Sequence, residues 1–191
     1  MILSGTHVYA ANILVWGDSL SAGYGISIEQ AWPSLLQTRL DTAGLAFKVI
    51  NGSVSGETTA GGLSRLPAAL TQHKPGILIL ELGANDGLRG LPVAQMQDNL
   101  SKMVALGQKS GAKVLLIGIK MPPNLGPVYA NQFNASYPAL AQKLKVPLIP
   151  FIFEGFADQL DQFQADGLHP TAAAQPKILE TVWPGLKPLL K

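Results

Sequence analysis

Asn12-Ile13-Leu14-Val15-Trp16-Gly17-Asp18-Ser19-Leu20-Ser21 is the stretch on which the reading of this chain turns. Residues 12–16 form a short apolar run of the kind that makes a buried strand. It stops at Gly17-Asp18-Ser19, three residue types that favour turns. A strand ending in such a turn sets a small hydroxyl at the edge of a sheet. On these residues alone Ser19 is either a turn residue or a nucleophile, and the rest of the chain has to decide.

Working outward, apolar runs recur at 46–50, 77–82, 113–119 and 146–150. Helical periodicity fills the intervals. Trp32, Leu35, Leu36 and Leu40 predict a helix over 29–43, stopped by Gly44. Leu63, Leu66 and Leu70 predict another, entered near 57–59 and broken by Pro75-Gly76. Met96, Leu100, Met103, Val104 and Leu106 mark a long helix over 92–109, closed by Gly111. Residues 128–145 predict a helix bent at Pro138, and 151–168 mixed loop and turns. A last helix is expected from Thr171 to Leu190, punctuated by Pro176 and Pro184. Such alternation predicts an α/β fold, a flavodoxin-like three-layer α/β/α sandwich around a five-stranded parallel sheet in the order 2-1-3-4-5. No repeat or long linker divides the chain, so 12–191 reads as one domain.

Composition narrows the function. Of 191 residues, 47% are hydrophobic and only 14% charged, which excludes a charge-rich disordered chain. The net charge is +2 with no basic run, so no nucleic-acid partner is expected. There is no Cys, which removes disulfides and thiolate chemistry. No apolar run reaches the roughly 18 residues of a membrane span, so no stable membrane insertion is expected. Residues 1–11 end in Val8-Tyr9-Ala10-Ala11, small residues placed as at a signal-peptidase site, though a basic segment and an apolar segment are missing. They are read as an N-terminal extension or the remnant of an export signal; the second reading predicts the periplasm or the cell exterior, and the first leaves the cytoplasm open.

In a parallel sheet of this kind, functional groups gather at the carboxyl ends of the strands. The unusual residues of this chain fall there: Asp18-Ser19, Ser55-Gly56, Gly83-Ala84-Asn85-Asp86 and, after the fifth strand, Asp166-Gly167-Leu168-His169-Pro170. Asp166 stands three residues before His169, a spacing that lets a carboxylate reach one ring nitrogen and leaves the other free to take a hydroxyl proton. Asp166 also suits a turn or helix cap. Of the other histidines, His7 lies in the N-terminal segment and His73 near a helix end, where a solvated residue is expected. Asn85 can offer a side-chain amide, and Gly56 and Ser19 backbone N–H groups, to an oxyanion. Taken singly, Asn85 also fits a left-handed turn and Gly56 a helix entrance. Asp18 is expected to brace the turn.

Gly17-Asp18-Ser19-Leu20-Ser21, Gly56 in Ser55-Gly56-Glu57-Thr58, Gly83-Ala84-Asn85-Asp86 and Asp166-x-x-His169-Pro170 together resemble the four blocks of the SGNH hydrolases, the GDSL esterases and lipases. The resemblance covers Asn12 to the C-terminus. It is nearest to the bacterial multifunctional thioesterase, arylesterase and lysophospholipase branch, through Ser19 to Tyr24, Leu82 to Gly90 and Asp166 to Pro170. It implies Ser19 as nucleophile, His169 as general base, Asp166 as its orienter, and an oxyanion hole from the Ser19 and Gly56 amides and the Asn85 side chain. It also implies a periplasmic enzyme. No cofactor or metal is expected, and the partner is a small acyl ester or thioester bound by a monomer.

The Gly-x-Ser-x-Gly elbow of α/β-hydrolases does not fit, because Ser21 stands where its second glycine would be. Leu20, Leu88, Met121, Pro122, Leu125 and Tyr129, with Leu91 and Val128 beside them, are candidates to line an acyl groove; simple loop packing is the other reading. Two other functions fit less of the chain. A carbohydrate O-acetylesterase of the same family would want a shallower, more polar groove. A non-catalytic flavodoxin-like binding module would want a phosphate-binding glycine loop, which is missing.

Overall fold

The computed structural model describes residues 11–191. The expectation for an export-signal remnant falls almost wholly on residues 1–10 and lies outside the described residues, as does His7. Strand β1, Ala11–Gly17, leads into a single helical turn, α1, Ser19–Ala22. A 3-10 turn at Ile28–Gln30 precedes α2, Trp32–Thr42. Then follow β2, Phe47–Asn51; α3, Thr59–His73; β3, Ile77–Glu81; and α4, Ala84–Leu88. Helix α5, Val93–Lys109, β4, Lys113–Ile117, α6, Pro127–Leu144, β5, Leu148–Ile149, and α7, Gln175–Leu186, complete the chain.

The five strands are all parallel, in the order β2-β1-β3-β4-β5. Ile13 to Trp16, Ile77 to Leu80 and Val114 to Ile117 are buried, as strands covered on both faces must be. Helix α2 packs beside α7, while α3, α5 and α6 pack in series. The Trp32 N–H donates to Gln175 Oε1 across 3.0 Å and joins the first turns of α2 and α7. All the βα connections therefore open at one edge.

Several boundaries differ from those read in the sequence. β1 begins one residue early, because Ala11 pairs with Phe47. β5 keeps only two residues of the expected 146–150. Pro147 and Pro150 have no N–H to give a ladder, and Lys145 closes α6 in the left-handed region at φ 54°. Helix α2 starts at Trp32 because residues 28–30 form a separate tight turn. α6 is one helix with Pro138 inside it, and α7 is flanked by 3-10 turns at 172–174 and 187–190 rather than extending unbroken from Thr171 to Leu190.

Candidate active site

Gly17 ends β1, and Asp18 caps the helical turn that follows, its Oδ1 accepting the Leu20 N–H at 3.0 Å. This places Ser19 as the first residue of α1, where its own N–H has no intrahelical partner. Gly17 is required by packing. A Cβ there would stand 2.8 Å from Glu81 Oε2 and 2.9 Å from both Glu81 O and Ser21 Oγ.

His169 arrives from the far side of the rim. Its Nε2 lies 2.9 Å from Ser19 Oγ, and its Nδ1 lies 2.7 Å from Asp166 Oδ2. A carboxylate can only accept, so the proton on Nδ1 points to Asp166 and Nε2 is left to accept from Ser19. Asp166 Oδ1 accepts the N–H groups of Leu168 at 2.9 Å and His169 at 3.0 Å, which closes the turn. The His169 N–H and ring, with the Leu168 N–H, hold the Asp166 carboxyl down at about 2. Asp166 is thus both the turn residue and the histidine's partner; the two readings of it are one geometry.

The loop carrying this pair is stitched in place. Gln164 N–H donates to His169 O at 2.8 Å, and Phe163 bridges Pro170 antiparallel. Gln164 Nε2 donates to Tyr24 O at 2.8 Å, and the Tyr24 ring lies against His169 with centroids 4.4 Å apart. Tyr24 entered the sequence reading only as the end of the stretch from Ser19 that carries the resemblance, with no role of its own. Nothing local marks it as the wall of the histidine, since the contact spans most of the chain.

Gly56 adopts φ 79°, a region L-residues other than glycine rarely enter, and its carbonyl accepts Arg89 Nη2 at 3.0 Å. Among the described residues neither the Gly56 N–H nor the Ser19 N–H meets an acceptor. Asn85 lies in the first turn of α4 and is already engaged. Its Nδ2 donates to Asp18 Oδ2 at 3.2 Å and to Glu57 O at 2.9 Å.

Behind Ser19 lies a buried acidic layer that the sequence reading only partly anticipated. Asp18 is fully buried, and burial raises it to about 6 against the Leu20 N–H, the charge of His169 and the Asn85 amide. Glu81, at the end of β3, was missed. It is pushed well above the carboxylate range, first by burial and then by the charge of Asp18. Its Oε2 accepts the Ser21 hydroxyl at 2.7 Å, and Ser21 Oγ accepts Trp32 Nε1 at 3.2 Å. A single acid closing an otherwise apolar strand was the available signal. Asp86 is buried too, but serves α3: it accepts the N–H of Thr59 at 2.8 Å and its hydroxyl at 2.5 Å. His73, expected in solvent, is half-buried at the end of α3, where its carbonyl accepts Asn12 Nδ2 at 2.6 Å.

A cleft of about 150 Å³ opens beside Ser19, Asn85 and His169. Leu20, Leu88, Met121 and Pro122 line it as expected, together with Ile119, Lys120, Phe153 and Leu168, which were not foreseen. Leu125 and Tyr129 do not line it, nor do Leu91 and Val128. Tyr129 instead turns its hydroxyl onto Leu91 O at 2.8 Å and packs on Phe133, bracing the segment after α4. Leu125 and Val128 point to solvent. Among the described residues no cluster of three or more His, Asp or Glu side chains is placed to hold a metal ion.

The GDSL-like lipase/acylhydrolase family matches residues 15–175. Esterase TesA of Pseudomonas aeruginosa is 50% identical over 190 residues, covering 100% of this chain and 94% of that protein. Thioesterase 1/protease 1/lysophospholipase L1 of Escherichia coli K12 is 41% identical over 181 residues, covering 95% and 86%. The crystal structure of the psychrotrophic esterase EstA of Pseudoalteromonas sp., inhibited by monoethylphosphonate, superposes with a TM-score of 0.90 at 41% identity, covering 94% of this chain and 98% of that one.

Proposed function

The chain belongs to the GDSL-like lipase/acylhydrolase family, and on that premise we propose that it is a serine hydrolase of carboxylic esters and thioesters, with aryl esters and lysophospholipids among its substrates. One observation carries the assignment of roles: the unbroken line Ser19 Oγ, His169 Nε2, His169 Nδ1 and Asp166 Oδ2, with steps of 2.9 and 2.7 Å between residues.

In this reading Ser19 Oγ attacks the acyl carbonyl while His169 Nε2 takes its proton, and Asp166 stabilises the imidazolium. The buried Asp18 adds a second negative charge near the same ring. The carbonyl oxygen becomes an oxyanion facing the Ser19 and Gly56 N–H groups, which meet no acceptor among the described residues, and the Asn85 amide. Asn85 is the donor that has to change partner, and its longer bond, 3.2 Å to Asp18, is the weaker of the two it holds. His169 then hands its proton to the departing alcohol or thiol. Water repeats the sequence on the acyl-enzyme and releases the acid. The apolar cleft walls, Leu20, Met121 and Phe153 among them, support an acyl chain as the group bound there.

Labelling with a fluorophosphonate tests the reading. The expected result is a single adduct on Ser19, lost in Ser19→Ala, with hydrolysis of p-nitrophenyl esters abolished in Ser19→Ala and His169→Ala. Retained hydrolysis in both variants would overturn the assignment.

A further inference from the structure

All eight large hydrophobic side chains exposed among the described residues stand at one edge of the molecule. Tyr24 and Ile28 follow β1, Val54 follows β2 and Leu88 follows β3. Leu125 and Val128 follow β4, and Leu160 and Leu168 follow β5. In a parallel sheet every such connection leaves from the carboxyl end, so the eight share the rim that holds Ser19 and His169. Among the described residues, the connections at the opposite edge and the outward faces of the helices beyond that rim expose none. Single exposed apolar residues scattered over a surface are ordinary; their confinement to one rim is not.

Two further observations say what meets this rim. Leu88 and Leu168 belong both to the exposed set and to the cleft wall, so the outer apolar surface runs without a break into the passage leading to Ser19. The exposed charges there are mixed. The cations Arg89 and Lys120 share the rim with the carboxylates of Glu29, Glu154, Asp158, Asp161 and Asp166, and Lys120 lies 3.8 Å from Glu154. An excess of carboxylates disfavours an anionic surface, while a zwitterionic one presents no net charge to repel it.

We propose that the rim is a lipid-facing surface on which the enzyme rests, cleft mouth down, at a zwitterionic lipid–water interface, drawing single-chain acyl substrates from it into the cleft. The proposal rests on the ester-hydrolase reading of the cleft. No helix among the described residues is long and apolar enough to cross a membrane, and none is needed. The attachment is peripheral, with short apolar side chains entering the headgroup layer. Ile28, Val128 and Leu160 are the most exposed of the eight at 68%, 82% and 82%, and none of them lines the cleft.

Flotation of the full chain with phosphatidylcholine vesicles tests this. The wild type is expected to float with them and to do so no better when phosphatidylglycerol is added. The triple variant Ile28→Asp, Val128→Asp, Leu160→Asp is expected to lose about tenfold or more in partitioning. Its kcat/KM on soluble p-nitrophenyl acetate should stay at the wild-type value. Failure of the wild type to float, equal flotation of the triple variant, or flotation that depends on phosphatidylglycerol each overturns the proposal. So does a concentration-dependent dimer abolished by the same three changes, which would make the rim a contact between copies. Flotation needs no turnover, so an inactive protein that floats sinks the hydrolase reading while the lipid surface stands.

Discussion

Replacing Asn85 by Ala separates an oxyanion donor from a structural clasp, because the side chain is placed to serve as both. Its amide bonds, 3.2 Å to Asp18 Oδ2 and 2.9 Å to Glu57 O, join the nucleophile turn to the loop carrying Gly56. Removing them leaves the fully buried Asp18 with the Leu20 N–H as its remaining donor, a stability cost of about 1–3 kcal/mol. For a chain of this length that lowers Tm by on the order of 5 °C, so the fold survives. The transition state loses more. Deleting one oxyanion donor costs about 2.7–4 kcal/mol, or roughly 10²–10³ in kcat. The assay is kcat and KM on p-nitrophenyl butyrate, with a thermal melt by circular dichroism on the same samples. The expected result is a collapse of kcat, little change in KM, and a modest drop in Tm. A variant whose Tm falls while kcat stays within about fivefold would refute the reasoning and leave Asn85 a clasp only.

Asp166→Asn should keep the turn, since an amide oxygen can still accept the Leu168 and His169 N–H groups, but it favours the wrong imidazole tautomer. A fall in kcat of roughly 10³–10⁴ is expected, and a fall below tenfold would discard Asp166 as the orienter. The two acids near His169 should bend the pH–stability curve in opposite directions. Burial raises Asp18 from 3.8 to about 6, so the folded chain holds a proton that the unfolded chain has released. Its contribution therefore declines as pH rises from about 4 to about 6 and is level above. Hydrogen bonds lower Asp166 from 3.8 to about 2, so its contribution is complete above about pH 4 and is lost as pH falls toward 2. Urea midpoints of Asp18→Asn and Asp166→Asn against wild type across those windows check both slopes, and a reversed slope in either rejects its assignment. Gly17→Ala should destabilise by about 1–3 kcal/mol, because its methyl group meets Glu81 and Ser21 at 2.8–2.9 Å. An unchanged urea midpoint would show that the buried acid yields more readily than this packing allows.

The order 2-1-3-4-5 was legible because every strand is an apolar run and every interval carries a helical period, and a parallel sheet leaves few ways to connect them. That Ser19, Asn85 and His169 would share one cleft, with Asp166 on the histidine ring, was legible because strand ends converge on one rim, so position in the order is already position in space. What stayed hidden depends on side-chain direction. Leu125 and Tyr129 sit near the right strand end, but Leu125 faces solvent and Tyr129 faces Leu91 O, and no periodicity in an irregular loop says so. Phe153, Leu168 and the ring of Tyr24 reach the site through contacts between segments far apart in the chain.

Gly17-Asp18-Ser19 shows the same division within three residues. Residue types alone determined that a strand ends there in a tight turn presenting a hydroxyl, since glycine, aspartate and serine have local reasons to break a strand and cap a helix. Only the tertiary structure decided that Gly17 makes room for Glu81, that Asp18 reaches Asn85, and that Ser19 Oγ lies 2.9 Å from His169 Nε2. Local sequence sets backbone conformation, which is short-ranged. The chemistry of the site depends on distances between atoms up to 150 residues apart, and those exist only once the sheet has brought its strand ends together.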